Sequence, residues 1–229
     1  MQDAIEFHRR LAGEWEYQYQ KPAFRARMRA FEECLAGCDL RQQQWLDAGC
    51  GVGTLARYLF DEGCHVLGVD GAEEMIAKAR ELSVDRSNQE RLRFEHIQTI
   101  ADLPLSDGSM DGILCSSVIE YVSDPSACLV EFARVLRRGG MLVVSVPNRY
   151  SVIRQLRGAS YALGRLLNRR WFEFLRYSRN EYSAGAFRAL LQGAGFSTQK
   201  VIAFDNPMPH VSFAKPVGGT LLAFRAVRD

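Results

Sequence analysis

The sequence predicts an α/β protein organised on a nucleoside-binding strand–helix–strand unit, and three observations predict it. A short apolar run ends in Asp47 and is followed by glycines at alternate positions, Gly49, Gly51 and Gly53. A helical period then begins with Leu55, Ala56, Leu59 and Phe60, so the segment reads as strand, tight turn, helix. A second strand-like run, His65–Val69, ends in Asp70, 17 residues after Gly53. An acid at the tip of the second strand stands where a bound nucleoside presents its ribose hydroxyls.

The spacing also bears on which nucleoside. A dinucleotide fingerprint has G-x-G-x-x-G, which lets a pyrophosphate sit on the helix N-terminus. Here the third glycine comes one residue early and Thr54 takes the dinucleotide position. Asp47, just ahead of the turn, is a poor neighbour for a pyrophosphate and a good one for a cationic ligand. S-adenosylmethionine carries a sulfonium and an ammonium and no phosphate. Trp45–Leu59 resembles motif I of the class I S-adenosylmethionine-dependent methyltransferases. Gly68-Val-Asp70, with Glu73-Glu-Met75-Ile-Ala-Lys-Ala79, resembles the segment that follows it.

The whole chain sets bounds on this reading. Its 229 residues suit one domain with decorations. A net charge of +2 says little about partners. No run of 18 apolar residues predicts a transmembrane helix, and the polar, acidic start Met1-Gln-Asp-Ala-Ile-Glu is unlike a secretory signal. The six cysteines, Cys34, Cys38, Cys50, Cys64, Cys115 and Cys128, form no Cys-x-x-Cys and no zinc spacing. Reduced, mostly buried thiols in a cytoplasmic protein are expected, with no metal.

Taken in order, residues 3–38 read as two helices, the second opened by Pro22 and carrying Phe24, Met28, Phe31 and Leu35. Strands are expected at Gln44–Asp47, His65–Val69, Leu92–His96, Gly112–Cys115, Met141–Val146, Ser197–Phe204 and Thr220–Val227. A helix at Ala72–Leu82 begins with two glutamates and ends with Lys78 and Arg80, an order that suits its dipole. Another at Ser126–Arg138 places Leu129, Phe132, Ala133 and Leu136 on one face, with Gly139-Gly140 as its stop. The stretch from Tyr182 to Phe196 reads as a capped helix, and Asn206–Gly219 as a loop.

The resemblance covers residues 45 to about 227. It implies a three-layer, Rossmann-like sandwich around a seven-stranded, mainly parallel sheet with an antiparallel last strand. Residues 1–40 would cover the cofactor site, 41–229 would form the methyltransferase domain, and 149–180 would be a cap insertion. By the same resemblance Asp47 and the main chain of Gly49, Cys50 and Gly51 hold the methionine end of S-adenosylmethionine. Asp70 and Gly71 take the ribose, Met75 and Ile100 sandwich the adenine, and Cys115 shapes the floor. Family members fold an N-terminal helix over the cofactor, which makes Tyr19 and Arg25 candidates for contact. Leu103-Pro104 through Asp111 is similar to a family loop preceded by an adenine-binding acid, but Thr99 holds that place; its hydroxyl, or the backbone at Ile100, is the substitute. Ser116–Pro125 resembles motif IV, with Glu120-Tyr121 where ubiquinone-pathway O-methyltransferases carry Glu-His. Tyrosine, with an ordinary pKa near ~10, is a poor base at neutral pH, so the pair is expected to orient an acceptor. Glu120 also reads as a helix-end charge paired with an arginine. His210, in the late loop, is a candidate for substrate contact.

Residues 149–180 carry many arginines and a single acid, Glu173. Leu163, Leu167, Trp171 and Phe174 recur at helical spacing, with Arg165, Arg169, Arg170 and Arg176 between them. A cap over the active-site mouth is the first reading. Peripheral membrane contact serving a lipid-like substrate is the second. Nucleic acid is not expected, for want of any supporting motif. The expected activity is methyl transfer to a small or lipid-like acceptor at oxygen. A non-catalytic methyltransferase-like module and a nicotinamide-dependent dehydrogenase are the alternatives.

Overall fold

The computed structural model describes residues 22–85, 90–152, 154–155, 178, 180–205 and 219–229. The first expected helix, Tyr19, His210 and most of 149–180 lie outside the described residues. The elements run α1 (Pro22–Leu35), β1 (Gln44–Ala48), α2 (Thr54–Asp61), β2 (His65–Asp70), α3 (Glu73–Glu81) and β3 (Leu92–His96). After them come β4 (Met110–Ser116), a 3₁₀ turn (Ile119–Tyr121), α4 (Pro125–Val135), β5 (Leu136–Pro147), α5 (Ala184–Gly193), β6 (Phe196–Phe204) and β7 (Leu221–Arg228).

The seven strands form one sheet in the order β3-β2-β1-β4-β5-β7-β6. All neighbours are parallel except that β7 runs antiparallel to both β5 and β6. The expected architecture is therefore present, with the reversed strand inserted next to the edge. Strand order reverses between β1 and β4, so their carboxyl ends open the crevice in which ligands of open α/β sheets bind.

Strand alternation divides the core between the two faces. Leu46, Ala48, Ile113, Cys115, Leu142, Val144 and Val146 face α4 and α5, meeting Leu129, Phe132, Phe187 and Leu191. Trp45, Val66, Leu114 and Val143 face α1 and α2, meeting Phe31, Leu35, Leu55 and Leu59. Helix α1 is thus part of the core, and it is tied to the far edge by Lys200–Glu33 at 3.0 Å and by Arg225 donating to the Cys34 carbonyl. Helix ends follow local chemistry: Asp124 caps α4 ahead of Pro125, and Ser183 caps α5.

One boundary differs from expectation. Leu136–Gly140, expected as the last turn and stop of a helix, is the start of β5. Leu136 turns extended (ψ 141°) and pairs with Met110, while the Arg137 guanidinium meets Asp111 at 2.5 Å. Sheet pairing plus that ion pair outcompetes another helical turn. Among the described residues, no helix is long and apolar enough to cross a membrane.

Candidate functional site: the carboxyl ends of β1, β2 and β4

The glycine turn leaves β1 by folding back on β2. The N–H groups of Gly49 and Cys50 both donate to the Val69 carbonyl, at 2.8 and 2.9 Å. Gly49 has φ 77°, and a Cβ there would overlap the Val118 side chain from the turn after β4. A glycine is therefore required both by backbone conformation and by the close approach of the β4 side of the crevice. Gly53, also at φ 77°, opens α2 directly against the Phe94 ring.

Asp47 lies in β1 on the α2 face and is 1% exposed. The Ala56 N–H donates to its carboxylate, but Oδ2 is buried without a hydrogen-bond partner. Burial, with the nearby Asp70 carboxylate adding to it, pushes the Asp47 pKa up to about 7. An orphaned, buried carboxylate oxygen of this kind is an unmet demand for a cationic donor. The residues present fit S-adenosylmethionine, whose ammonium is such a donor, better than a pyrophosphate.

Asp70, at the tip of β2, accepts N–H bonds from Gly51 (2.9 Å) and Ala72 (2.8 Å), one on each oxygen. Burial raises its pKa, and the N–H groups of Ala72, Gly51 and Gly71 oppose that rise. Both oxygens keep lone pairs for further donors. Met75 is buried with Val52 and Ala72, whereas Ile100 belongs to the cluster of Ile97 and Leu103, so the two side chains do not pack on one another. The Thr99 hydroxyl accepts the Ala101 N–H at 3.2 Å, holding the Ile100 turn and leaving its own proton to donate. Cys115 is fully buried and Cys50 nearly so; burial raises both thiols well above their ordinary pKa, so neither is a nucleophile at neutral pH.

The β4 side holds a second group of polar side chains. Ser117 adopts φ 56°, a conformation rare for serine and common at functional sites. Its N–H donates to Ser145 Oγ on β5, and its hydroxyl accepts from Arg27 Nη2 on α1, at 3.1 Å. Ser116 Oγ is buried without a partner. Glu120, in the 3₁₀ turn, is 5% exposed, and its Oε2 has no partner. Burial raises its pKa; Arg154, the Tyr121 hydroxyl bonded to it, and Arg27 act against that rise. Burial also drives Tyr121 well above its ordinary pKa, which rules the phenol out as a base near neutrality. Asn180 braces this turn: its side-chain amide donates to the carbonyls of Ile119 (3.1 Å) and Val122 (2.8 Å), and its backbone N–H to that of Glu120.

A family model described as a methyltransferase domain matches residues 46–144. The chain is 32% identical over 167 residues to the ubiquinone biosynthesis O-methyltransferase of Psychrobacter arcticus, covering 71% of this chain and 63% of that protein's length. Among solved structures, a possible histamine N-methyltransferase of Thermotoga maritima superposes with a TM-score of 0.70 at 22% identity over the full length of both chains. Magnesium protoporphyrin IX methyltransferase of Synechocystis, solved with bound S-adenosylhomocysteine, gives 0.70 at 19% identity, covering 94% of this chain and 93% of that one. Residues 46–144 thus match a methyltransferase domain, and the chain shares its fold with solved S-adenosylmethionine-dependent methyltransferases.

Within the matched residues, Asp47, Gly49, Cys50, Gly51, Asp70 and Gly71 gather at the carboxyl ends of β1 and β2; Met75 packs with Val52 and Ala72, and Ile100 belongs to the cluster of Ile97 and Leu103. Cys115, Glu120 and Tyr121 lie on the β4 side. Arg25 is exposed on α1; Arg27, two residues on, is the arginine that reaches the site. The signal was present in the period: Arg27 is three residues after Phe24 and four before Phe31, on the apolar stripe, and Arg25 is off it. Its guanidinium stacks on the Phe24 ring at 4.8 Å. The arginine near Glu120 is Arg154, itself 8% exposed and bonded to Glu181 and Ser178, both at 2.6 Å. No sequence motif marks Arg154, Asn180 or Ser145 for this role, because each is brought in by the fold from a distant strand or loop.

Proposed function

We propose that this protein is an S-adenosylmethionine-dependent methyltransferase acting on a small or lipid-like molecule, at oxygen. The observation that carries the reading is the buried Asp47 carboxylate, with one oxygen unpartnered, beside the glycine turn. When bound, S-adenosylmethionine supplies a methyl carbon already activated by its sulfonium. The protein's part is alignment and exclusion of water. Asp47 and the carbonyls of Gly49–Gly51 hold the methionine end, and Asp70 with Gly71 the ribose. Met75 and Ile100 bracket the adenine, Thr99 offers its hydroxyl proton to it, and Cys115 shapes the floor.

The oxygen acceptor is supported by the name of the Psychrobacter relative and by the position of Glu120. An attacking hydroxyl must lose a proton. Tyr121 cannot take it at neutral pH, whereas burial raises the Glu120 pKa and so makes its ionised carboxylate a stronger base. Glu120 is therefore assigned the proton, with Tyr121 orienting it, and His210 is retained as a candidate for acceptor contact. In this proposal residues 1–40 cover the donor site, with Tyr19 and Arg25 on that cover. Residues 149–180 cap the acceptor mouth of the 41–229 domain.

Calorimetry with adenosylhomocysteine tests the donor side: wild-type binding, and a loss of at least tenfold in Asp47→Ala and Asp70→Ala, are expected. Turnover of methyl-labelled S-adenosylmethionine on quinone-like, sugar and amine acceptors tests the rest. Transfer only to amines would overturn the oxygen assignment, and no transfer to any acceptor, despite cofactor binding, would favour a binding module.

A further inference from the structure

We infer that Ser116 and Ser145 form a hydroxyl pair that receives the reacting atom of the methyl acceptor and selects oxygen over nitrogen there. The inference deepens the proposed methyl transfer and rests on it for the ligand's role as acceptor.

The pair follows from sheet register. Strands β4 and β5 are parallel, and Ser116, the last residue of β4, stands opposite Ser145. In-register residues of neighbouring parallel strands point to the same face. Cys115, Val144 and Val146 belong to the cluster under α4 and α5, so the serines that alternate with them point to the α1 and α2 face. That is the face of Asp47, on the strand beside β4. Ser145 is fully buried, and the Ser116 hydroxyl oxygen is buried with no hydrogen-bond partner. Ser145 Oγ accepts the Ser117 N–H at 3.0 Å, which leaves its own proton to donate. Neighbouring strands lie about 4.8 Å apart, so one atom placed between the two hydroxyls is within hydrogen-bond reach of both.

Two donors converging on one atom ask it for two lone pairs. An alcohol or phenol oxygen has them, and once ionised it has a third. That third pair forms the bond to the methyl carbon, the carbon–sulfur pair returns to sulfur, and the acceptor's proton goes to Glu120 as proposed above. A neutral amine nitrogen has a single pair, so it answers at most one hydroxyl, and none while it attacks. Leaving a buried hydroxyl unanswered is costly. A permanent anion such as a carboxylate is better answered by Arg27, whose guanidinium reaches the next residue, Ser117. The serine hydroxyls are neutral and suit an oxygen whose charge disappears as the methyl group arrives.

Phenol and aniline, close in size and both neutral at pH 7.5, are the probes. Each is titrated by ligand-observed NMR into the full chain saturated with adenosylhomocysteine, and again without it. Phenol binds the wild type about fivefold or more tighter than aniline, as one additional neutral hydrogen bond provides. Ser116→Ala brings the ratio below about twofold, and Ser116→Thr, which keeps a hydroxyl, restores it. Ser145→Ala has the same effect. Because it also orphans the Ser117 N–H, circular dichroism melting checks its fold, and Ser116→Ala decides alone if it unfolds. A general loosening of the site would weaken both probes and leave their ratio unchanged.

Equal binding of the two probes, no binding of phenol, or a ratio that survives Ser116→Ala overturns the inference. So does a fivefold loss of adenosylhomocysteine affinity in Ser116→Ala, since that would give the hydroxyl to the methyl donor. Failure of adenosylhomocysteine to bind the wild type would sink the methyltransferase proposal instead, and the cofactor-free ratios would still decide what the two serines select.

Discussion

The carboxylate of Asp70 raises the pKa of Asp47 across two adjacent parallel strands, whose register pairs Ala48 with Val69. With burial as the larger cause, Asp47 is carried to about 7. Two acids at one crevice favour a positively charged ligand there, and the proposed role of Asp47 makes cofactor binding depend on proton release. Affinity for adenosylhomocysteine should rise by roughly tenfold between pH 6 and pH 7.5, as the ionised fraction of Asp47 grows. Asp47→Asn should bind weakly at both values and lose the slope. The sign for stability is opposite. Between the unfolded value near 3.8 and about 7 the folded chain holds the extra proton, so this group's contribution to ligand-free stability falls as pH rises through that window. Denaturant titrations at pH 5 and pH 7.5, with Asp47→Asn as the control, measure it.

Gly49 and Val118 belong to the two sides of the crevice, and their contact makes a sharper prediction. Gly49→Ala incurs left-handed backbone strain and overlap with Val118. Strain costs about 1–2 kcal/mol and overpacking about 1–3 kcal/mol. Adding Val118→Ala relieves the overlap and leaves the strain. A double-mutant cycle in urea should therefore show a coupling of about 1 kcal/mol or more. Additive effects would mean that the two side chains never meet.

The crevice at the ends of β1 and β2 was legible because it is built locally: Asp47, the glycines and Asp70 fall within one strand–turn–helix–strand stretch, where period and spacing identify each part. Strand β3, Leu92–His96, was readable residue for residue for the same reason. The start of β5 was not. Leu136–Gly140 carries a helix-stop pattern, and the partners that override it, Met110 and Asp111, are more than twenty residues away. Arg27 was hidden by its neighbour: two arginines on one helix differ only in phase. Arg154 lies in the 149–180 segment, whose basic composition was read as a cap or a membrane contact, yet its own side chain is buried and bonded to Glu181 and Ser178.

Asn180 carries a structural prediction for the acceptor side. Its amide holds the Ile119 and Val122 carbonyls, and its N–H holds that of Glu120, so the 3₁₀ turn hangs from one residue. Asn180→Ala removes two hydrogen bonds worth about 1 kcal/mol each. The Tyr121 amide, which donates to the Val118 carbonyl inside this turn, should exchange its hydrogen at least tenfold faster. The Val143 amide, deep in β5, should be unaffected. Faster exchange at both sites would make the loss global and deny Asn180 a local role.

Arg154 sets the protonation of the turn it faces. Of the groups that oppose the burial-driven rise of the Glu120 pKa, it is the largest, ahead of Tyr121 and Arg27. Arg154→Gln removes that cation while keeping an amide at about the reach of Nε, the atom that bonds Glu181. The Glu120 carboxyl should then titrate at higher pH than in the wild type, the direction expected when a nearby positive charge is lost. Carbon-13 carboxyl NMR with labelled glutamate reads the shift directly, and Glu120→Gln assigns the resonance. The same substitution should move any acidic limb of the turnover profile upward if Glu120 takes the acceptor's proton. A limb that stays in place while the resonance moves would separate the two roles and remove Glu120 from the proton path.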